Sequence, residues 1–422
     1  MASQISSNDR SPKILDHDLN RHFPELLKFE SSPEMEASAL YREIKPEVER
    51  ILNAIVCEDL SEPGAVAVAT GLLGDPQKRP VATATAPGSD RIAALAWNIE
   101  RGCVFEGIMD ALKNHNDLNN KDLLLLTELD YGMARSGNRF VAQEIAKELK
   151  LNYAFAPVYI ALQKGSGVES EMDGENTKSI HGLAMFSRFP MKNAHAIPLP
   201  NGKDKMWGKE KRLGYLRALV ADIEHPAGEF RAVTIHLDAH CSRAHRHLQM
   251  KIILDHLDKL SPLPTLLGGD WNTTTFNAQS SRRAILGYWR RVMMGVKNVV
   301  KNHYPHPDRY FEKRLFGELE SRGFEYKTLN EFGAGTIHYD VSSIEKNTNL
   351  RDWVPEWCFP FIFWAANRVG GRVSGRLDWF AGKRIALAAG TSPKTIGNLM
   401  DTEGTPLSDH DAIILDFVLS KS

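Results

Sequence analysis

The stretch TLLGGDWNTTTF, residues 265–276, decides the fold of this chain, because a short apolar run ends there in a carboxylate and an amide. An apolar run of this length beside glycine is typical of a buried strand. Asp270 and Asn272 stand two residues apart, so in an extended segment both side chains point the same way. Gly268 and Gly269 permit another backbone to approach closely. The stretch predicts a strand end that presents two polar groups to one ligand, although the same letters also fit a turn bonded to its own backbone.

Three more apolar runs carry polar residues at one end. Asn98 follows RIAALAW, Glu128 follows DLLLLT, and Asp409 with His410 precedes DAIILDFVL. Burying a carboxylate at a strand end is costly unless it is paired or binds a cation, and oxygen ligands of this kind suit Mg²⁺ or Mn²⁺. Any one of these strings alone is also expected at an ordinary surface. Together, the four strand ends predict one cluster that holds a hard metal ion and activates water.

Two histidines and one further acid have the chemistry to complete such a cluster. His236 ends the apolar run FRAVTIH, and His410 follows an acid. A histidine beside an acid is tuned to stay protonated and can bind a phosphate. Asp378, in GRLDWFAG, is the candidate to hold such an imidazole in orientation. A lone histidine is equally typical of a satisfied structural position, so these assignments rest on the whole set.

Strand-like and helix-like patterns alternate along most of the chain. Apolar runs predict strands at 91–98, 122–128, 182–187, 215–224, 230–237, 264–269, 376–381 and 411–419. Helical spacing of apolar residues predicts helices at 105–112, 141–149 and 248–257. Such alternation within one domain is typical of α/β layers built around mixed sheets. The main domain is therefore expected to span residues 91–422.

An N-terminal extension, residues 1–90, precedes this domain. It is polar at first, so we expect partial disorder up to about residue 35. Apolar residues at helical spacing then predict one amphipathic helix at 36–58. The connector at 61–90 mixes Pro, Gly, Ala and Thr, and predicts one short strand at AVAVAT.

A long insertion at about 273–375 interrupts the domain. It delays the next strand by far more than an ordinary loop does. It is basic and aromatic in places, and it predicts a helix at 309–322 closed by Gly323. Its string FPFIFWAANRVGG, residues 359–371, is either a buried core segment or an exposed apolar rim.

The composition bounds the partners and the compartment. The 422 residues carry a formal net charge of -1, which argues against a dedicated nucleic-acid coat but leaves room for a local basic groove. The four cysteines are scattered without a CxxC pair, so neither a zinc knuckle nor a disulfide framework is supported. The amino-terminal MASQISSNDRSPK lacks the apolar stretch of a signal peptide, and no run approaches the length of a membrane span. We therefore expect a cytoplasmic protein without stable membrane insertion, and the oligomeric state stays open.

Seven strings, in fixed order, resemble the endonuclease/exonuclease/phosphatase superfamily. They are WNIERG, LLTELD, GLAMFSRFP, TIHLDAH, GGDWNTTTF, GRLDWF and LSDHDA. That group includes deoxyribonuclease I, apurinic/apyrimidinic endonucleases, inositol polyphosphate 5-phosphatases and neutral sphingomyelinases. The resemblance covers about 91–272 and 376–419, and the GDWN and SDH strings are its most specific parts. It implies a four-layer α/β sandwich, with two packed mixed sheets flanked by helices, that hydrolyses phosphate esters with Mg²⁺ or Mn²⁺.

The resemblance also implies roles for the matching residues on the metal and water side. Glu128 would be the main metal ligand, with Asn98 beside it, and Asp409 would support the metal region. Asp270 would align the attacking water, and Asn272 would hold the phosphate. These roles agree with the general need of a phosphoester for charge neutralisation and an in-line water.

On the phosphate side, the resemblance implies that His410 contacts the scissile phosphate and that Asp378 orients its ring. His236 would assist near the phosphate or the leaving group. A phosphoester also needs its leaving oxygen stabilised, which a positioned imidazole can do.

Substrate selection is expected from parts that the resemblance does not cover. The family places selecting elements in loops near the cleft, so the insertion is expected to carry selectivity. Arg188, Arg243 and Arg246 are candidates to bind substrate, although a structural role fits each of them as well. A phosphodiesterase is favoured, with nucleic acid, a lipid headgroup or a small phosphoester as its substrate. The alternative is a non-catalytic phosphate-binding scaffold on the same fold.

Overall fold

The computed structural model describes residues 13–60, 66–68, 90–273, 277–340 and 355–420. Within them the strands are, in chain order, β1 (Val56–Glu58), β2 (Val66–Val68), β3 (Ile92–Arg101), β4 (Leu123–Tyr131), β5 (Asn152–Ala161), β6 (Ile180–Ser187), β7 (Met191–Pro198), β8 (Arg212–Gly214), β9 (Arg217–His225), β10 (Gly228–His236), β11 (Thr265–Asp270), β12 (Ile337–Asp340), β13 (Arg372–Gly375), β14 (Asp378–Lys383), β15 (Ile385–Leu387), β16 (Lys394–Ile396) and β17 (Ala412–Leu419).

These strands form two large sheets and one separate pair. The larger sheet has ten strands in the order β15-β17-β3-β4-β6-β5-β1-β2, with β16 added to β17 and β8 added to β5. The smaller sheet has five strands in the order β14-β11-β10-β9-β7, and β12 pairs with β13. The β3–β4 and β10–β11 pairs are parallel, whereas their outer neighbours run antiparallel. Both large sheets are therefore mixed.

Helices cover the outer faces and build the insertion. The α-helices are Phe23–Leu26, Ser32–Ala37, Ala39–Leu52, Phe105–Asn114, Val141–Leu149, Arg243–Leu257, Ser281–Met293, Val296–Asn298, Pro307–Tyr310, Lys313–Ser321 and Phe359–Asn367. A π-helical turn spans Val299–His303, and short 3₁₀ turns span Lys13–Leu15, Leu19–His22, Ala134–Ser136, Gly167–Glu171, Lys205–Trp207 and Glu356–Cys358. Across the described ranges, no helix has both the length and the apolarity that crossing a bilayer requires.

The two large sheets pack face to face because their strands are apolar on both sides. Ala94 and Ala96 of β3 share one core with Val233 of β10. The intervening residues Leu95 and Trp97 belong to a second core, which also contains the apolar faces of the helices over the larger sheet. This alternation follows from the two-residue period of a strand. Burial on both sides explains why β3 carries no polar residue until its end.

The helices Arg243–Leu257 and Lys313–Ser321 complete the fourth layer. Their buried residues Ile253 and Phe316 join the core that contains Trp379 of the smaller sheet. The order is thus helices, larger sheet, smaller sheet and helices. The predicted α/β sandwich, with two packed mixed sheets flanked by helices, is confirmed.

The start of the chain departs from the expected disorder. Leu15, Leu19 and Leu26 are buried in the core shared with the larger sheet. Residues 13–35 are therefore ordered, because their few leucines reach that core, and the expectation of disorder up to about residue 35 is wrong for them. Residues 1–12 lie outside the described ranges.

The helix predicted at 36–58 is shorter than expected. It spans Ala39–Leu52, and the Ser38 hydroxyl caps it by accepting a hydrogen bond from the Tyr41 N–H. The residues beyond it extend as β1 and pair with β5, which satisfies their backbone groups in the sheet. The strand predicted at AVAVAT is β2. Most of the 61–90 connector lies outside the described ranges.

The helix predicted at 309–322 is broken in two. Pro307–Tyr310 ends before Glu312, and Lys313–Ser321 begins after it. Glu312 is buried and pairs with Arg246, so the chain turns there to bring the carboxylate inward. Gly323 follows the second helix with φ of 79°, which is the left-handed conformation of a helix end.

Candidate active site

Strand ends from both sheets meet at one place. In the smaller sheet, the register of β10, β11 and β14 sets His236 beside Asp270, and Asp270 beside Asp378. In the larger sheet, Asn98 and Glu128 lie near the carboxyl ends of the parallel strands β3 and β4. Because the sheets pack face to face, these two groups of polar side chains come into contact.

Asp270 is the centre of this cluster. Its Oδ2 accepts a hydrogen bond from Asn98 Nδ2 at 3.3 Å. The same oxygen lies 3.5 Å from His236 Nε2 and 3.8 Å from His410 Nε2. Asn98 Nδ2 also donates to Glu128 Oε1 at 3.1 Å. Residues from separate strand ends, far apart in the sequence, therefore converge on one buried carboxylate.

Asn272 and Gly269 fix the position of Asp270. The Asn272 backbone, at φ of 52°, donates its N–H to Asp270 Oδ1 at 2.9 Å. Asn272 Nδ2 donates to Asp270 Oδ2 at 3.2 Å and to the Leu237 carbonyl at 2.9 Å, which uses both amide hydrogens. A hydrogen bond from this amide to phosphate would have to replace one of them. Gly269 has φ of 132°, and a β carbon there would collide with the Ile235 carbonyl oxygen.

His410 and Asp378 form a buried pair behind Asp270. His410 Nδ1 and Asp378 Oδ2 are 2.8 Å apart. Burial alone lowers the pKa of His410, but the surrounding carboxylates, Asp378 first, raise this pKa well above its ordinary value. The Trp97 indole N–H donates to the His410 carbonyl at 2.9 Å and fixes the backbone. The imidazolium can therefore face Asp270 with a hydrogen on Nε2 while Asp378 holds the other nitrogen.

Carboxylates crowd the end of β3 and the loop before β17. The Asp409 N–H donates to Glu100 Oε2 at 3.1 Å, and burial together with the Asp409 charge raises the pKa of Glu100 to about 8. Burial also raises the pKa of Asp409, and the charge of Glu128 adds to the rise. Burial opposes ionisation of Glu128 too, but the Arg101 guanidinium, 3.9 Å away, holds its pKa below the ordinary range. This concentration of negative charge fits a bound divalent cation.

Two groups of side chains could hold that cation. The first has ligand atoms within 4.8 Å of one another and consists of Asp270, Asp378 and His410. Its histidine and one of its acids are already bonded to each other, and a protonated imidazole has no lone pair for a metal. The second group, Glu128 with Asn98 and Asp409, supplies only oxygen donors beside the crowded acids. Oxygen donors are what Mg²⁺ and Mn²⁺ prefer, so the chemistry favours the second group.

A cavity is lined by Glu128 and His236 together with polar residues that the motifs do not predict as part of the site. Its polar lining residues include Arg101, Tyr159, His181 and Arg212. Arg101 Nη1 lies 2.9 Å from Glu169 Oε1, so its charge is shared between the cavity and that acid. Arg101 stands within WNIERG directly after a polar strand end, which was a usable signal. Tyr159, His181 and Arg212 lie within or beside largely apolar runs of sequence. Only the assembled fold shows that they line the cavity.

The insertion reaches the site through β12. Ile337 forms a β-bridge with His410, and the Thr336 hydroxyl accepts the Asp378 backbone N–H at 3.1 Å. Tyr339 is two residues further along β12. Burial, and then the nearby charges of Asp409 and Asp270, raise the pKa of the Tyr339 phenol. The insertion is thus part of the wall of the site.

Arg188 lies away from the cluster. Its Nε is 3.2 Å from Asp122 Oδ1, just before β4 begins, whereas Glu128 is six residues further along. At about 3.3 Å per residue, this separation is roughly 20 Å. The expectation that Arg188 binds substrate is therefore wrong: it forms an ion pair at the opposite end of the sheet.

Arg243 and Arg246 fasten the insertion to the body. Arg246 is fully buried, and its Nε and Nη2 donate to Glu312 Oε1 at 2.9 and 2.6 Å. Arg243 Nη1 donates to the Phe311 carbonyl at 3.4 Å. A guanidinium buried in an ion pair is not accessible to substrate, so the expectation for Arg246 is wrong. Arg243, one turn earlier on the same helix, also contacts this part of the insertion.

Comparisons with known proteins show which family and which solved structures this chain is similar to. A sequence profile described as the Endonuclease/Exonuclease/phosphatase family matches residues 95–422. The comparison with curated proteins returned no match. Similar solved structures include the endonuclease/exonuclease/phosphatase from Beutenbergia cavernae, with 15% identity over 78% of this chain and 72% of that chain and a TM-score of 0.46. Another is the human Nocturnin catalytic domain with a bound sulfate anion, with 15% identity over 78% of this chain and 95% of that chain and a TM-score of 0.42.

The profile match begins within β3 and runs to the end of the chain, so it includes every strand end of the cluster. It covers well over half of the 422 residues. The resemblance drawn from the seven strings is thereby confirmed. The chain belongs to the endonuclease/exonuclease/phosphatase family, whose usual activity is the hydrolysis of phosphoester bonds.

Proposed function

We propose that this protein is a divalent-metal-dependent hydrolase of phosphoester bonds and, within that class, a phosphodiesterase. The observation that carries the proposal is the meeting at Asp270 Oδ2 of the Asn98 amide and two imidazoles, at 3.3 Å for the amide and 3.5 and 3.8 Å for His236 and His410. Such a set offers a base, two imidazoles and a neighbouring acid, Glu128, at one point. Phosphoester hydrolysis needs these elements together.

Glu128 would hold the metal ion, Mg²⁺ or Mn²⁺, with Asn98 beside it and Asp409 in support. When bound, the ion neutralises charge on the phosphoester and lowers the barrier to attack by water. Glu128 is suited to this role because Arg101 keeps its pKa low despite burial, so the carboxylate is ionised at neutral pH. Asp409 carries a raised pKa in this structure, and a cation nearby would reverse that shift.

Asp270 would align the attacking water and accept its proton. Its Oδ1 is held by the Asn272 N–H, while Oδ2 faces the two histidines. A base must lie within hydrogen-bond reach of the proton it removes, and this oxygen is the one directed into the cluster. We assign Asn272 first to the positioning of Asp270, since both of its amide hydrogens are engaged, and its contact with phosphate would require one of them to be released.

His410 would bind the scissile phosphate as an imidazolium. Asp378 holds Nδ1 of this ring and raises its pKa, so that the ring can stay positively charged. His236, on the other side of Asp270, would stand near the leaving oxygen. A non-catalytic scaffold would be expected to lack one or more of these groups, and the chain keeps all of them.

The test is turnover of bis-p-nitrophenyl phosphate with Mg²⁺ or Mn²⁺ by the wild type, Asp270→Asn and Glu128→Ala. We expect both variants to lose turnover by about a thousandfold or more, because each removes a group that acts in the transition state. Arg188→Gln is the matched control and should keep its turnover, since this residue lies at the far end of the sheet. Circular dichroism and urea unfolding check that each variant is folded.

Retained turnover in Asp270→Asn would refute the mechanism. An inactive, folded wild type that binds no divalent ion in calorimetry would instead favour the scaffold. A panel of plasmid DNA, abasic duplex, sphingomyelin and phosphoinositides then separates nucleic-acid, lipid-headgroup and small-phosphoester substrates. Nucleic-acid binding would also weaken steeply as salt is raised.

A further inference from the structure

The insertion exposes a set of large apolar side chains on neighbouring helices. We call this set the aromatic face, and it consists of Leu286, Trp289, Met293, Trp357, Phe361 and Trp364. Their exposed fractions range from 43% for Trp289 to 81% for Met293. Single exposed apolar residues are ordinary, but a group of this size on one part of a protein marks an interaction surface.

The two helices of the face pack against each other on one side and expose the large apolar side chains to solvent on the other. Helix Ser281–Met293 contacts helix Phe359–Asn367 in a small apolar cluster that is separate from both main cores. The ring centres of Trp289 and Phe361 are 5.9 Å apart, so exposed side chains of the two helices meet there. Among the residues of the first helix, only Gly287 is fully buried.

The exposed side of helix Ser281–Met293 carries both large apolar and basic side chains. Leu286, Trp289 and Met293 are spaced three and four residues apart, so they form one stripe along the helix. Arg282 and Arg290 lie four residues before and after Leu286, so they project from the same side of the helix as the stripe. Both arginines are exposed. Exposed large apolar groups with basic residues beside them are typical of helices that lie in a membrane interface.

The charge of this region is opposite to that of anionic lipid headgroups. Residues 281–301 contain six basic residues and no Asp or Glu, in a chain whose formal net charge is -1. Directly after the second helix, the Arg368 guanidinium lies 4.3 Å from the centre of the Trp364 ring, which places a cation on an exposed aromatic side chain. Each basic residue near an anionic surface adds to attraction, and Trp prefers the headgroup level.

We propose that the aromatic face docks the protein on the surface of an anionic lipid bilayer. Single-stranded nucleic acid also uses aromatic and basic groups, because bases stack on rings. Leu286 and Met293, however, are the two most exposed members of the face and offer no ring for a base. Aliphatic side chains that insert among lipid acyl chains are transferred out of water, which is favourable in free energy. The bilayer is therefore the occupant that uses every member of the face.

The face is joined to the active-site wall by a short path. Helix Phe359–Asn367 leads to β13, where Val373 pairs with Tyr339 of β12, and Asp378 follows β13 by three residues. Docking would thus hold the wall formed by the insertion close to the lipid surface. The docking itself does not depend on the proposed catalytic function, so the two can be tested apart.

The experiment is co-sedimentation of the full chain with vesicles of phosphatidylcholine plus phosphatidylserine, beside vesicles of phosphatidylcholine alone. We expect binding to the anionic vesicles that weakens as salt is raised. Leu286→Ser combined with Met293→Ser should weaken that binding by about tenfold or more, because two apolar side chains no longer enter the bilayer. Arg282→Glu combined with Arg290→Glu should remove the preference for phosphatidylserine.

Leu248→Ser combined with Met400→Ser is the matched control, since both residues are exposed apolar side chains outside the face. This control should bind vesicles as the wild type does. Turnover of bis-p-nitrophenyl phosphate in solution should be unchanged by Leu286→Ser with Met293→Ser, which separates loss of docking from loss of activity. Equal unfolding midpoints in urea check that the variants are folded.

Three results would overturn the proposal. The first is a wild type that does not bind phosphatidylserine vesicles, or a face variant that binds them as tightly as the wild type. The second is a lipid-free dimer in sedimentation equilibrium that the Leu286→Ser, Met293→Ser variant abolishes, since the face would then meet a second copy. The third is tight binding of a single-stranded oligonucleotide that needs the face while vesicle binding does not.

Discussion

Replacing Arg246 by Met tests whether this arginine holds the insertion or acts on substrate. The side chain is fully buried, and its Nε and Nη2 both donate to one oxygen of Glu312, at 2.9 and 2.6 Å. Its Nη1 donates to the Asp238 carbonyl at 3.4 Å. Glu312 is 1% exposed, and its other carboxylate oxygen has no hydrogen-bond partner within the described part of the chain. Methionine would keep much of the apolar volume but leave a buried carboxylate without its main counter-charge.

Removing one partner of a buried ion pair costs roughly 3–5 kcal/mol in unfolding free energy. Arg243 also lies near enough to lower the pKa of Glu312, so it replaces part of the lost charge. We therefore expect the lower end of the range, about 3 kcal/mol. A charge left buried would account for most of this loss.

The loss should also depend on pH in a defined direction. Burial raises the pKa of Glu312, and Arg246 opposes that rise. Without the arginine, the pKa in the folded state rises further above its unfolded value. The folded variant then binds more protons than the unfolded chain, so its stability falls as pH rises above the unfolded pKa. The gap to the wild type should be smaller at about pH 5 than at about pH 8.

The assay is urea unfolding followed by tryptophan fluorescence at both pH values. A second variant, Arg246→Met with Glu312→Leu, should recover much of the stability, because an apolar pair replaces the ion pair. Folded Arg246→Met should turn over bis-p-nitrophenyl phosphate at close to the wild-type rate. Lost turnover with unchanged unfolding free energy would refute the structural role and return this arginine to the substrate.

Three further outcomes are expected. Asp378→Asn should lower kcat by about a hundredfold or more and move the alkaline limb of the pH–kcat profile to lower pH. The reason is that burial lowers the pKa of His410 whereas the Asp378 carboxylate raises it. An alkaline limb that does not move would contradict the pairing of these two residues. EDTA should remove turnover, and added Mg²⁺ or Mn²⁺ should restore it. Either ion should also raise the thermal unfolding midpoint of the wild type but not that of Glu128→Ala. Protein that stays active in EDTA would exclude the metal requirement. Gly269→Ala should lower the unfolding free energy by about 2 kcal/mol or more, since φ is 132° and a β carbon would strike the neighbouring carbonyl of β10. Gly317→Ala, in open space on a helix, is its control in urea unfolding and should lose nothing.

The polar strand ends were predictable because each is a local signal. An apolar run buried on both sides must end where the first polar group appears, and this placed Asn98, Glu128 and Asp270 near the ends of their strands from sequence alone. Their convergence was a hypothesis about distant segments. The register that sets Asp270 beside Asp378 spans more than a hundred residues, and no local pattern encodes it. The family resemblance supplied that order.

The strands missed from the sequence show the opposite case. β5 is buried along its whole length, but its run NYAFAPVYIA contains Pro157, which argues against a central strand. The sheet accommodates it with a register shift against β6 at that position. β7 forms the edge of the smaller sheet, so its mixed sequence MKNAHAIP lacks a strong apolar period. The register shift in β5 and the edge position of β7 depend on the neighbouring strands, so a short stretch of sequence does not reveal them.

The same limit explains the arginines. A basic residue near a metal-and-phosphate motif fits substrate binding or an ion pair equally well, and only its partner decides. The partner of Arg246 is Glu312, 66 residues away and inside the insertion. The partner of Arg188 is Asp122, at the far end of the larger sheet. Neither distance is visible until the layers are assembled.

The insertion contacts both the candidate active site and the body of the domain. Thr336 accepts the N–H of Asp378, and Ile337 bridges to His410, so one short segment contacts both members of the buried pair. Glu312 fastens the other part of the insertion to Arg246 beneath the smaller sheet. A movement of this segment would therefore be expected to shift His410, the imidazole that faces Asp270. The insertion that carries the exposed aromatic face therefore also contacts Asp378 and His410, two of the residues proposed to act on phosphate.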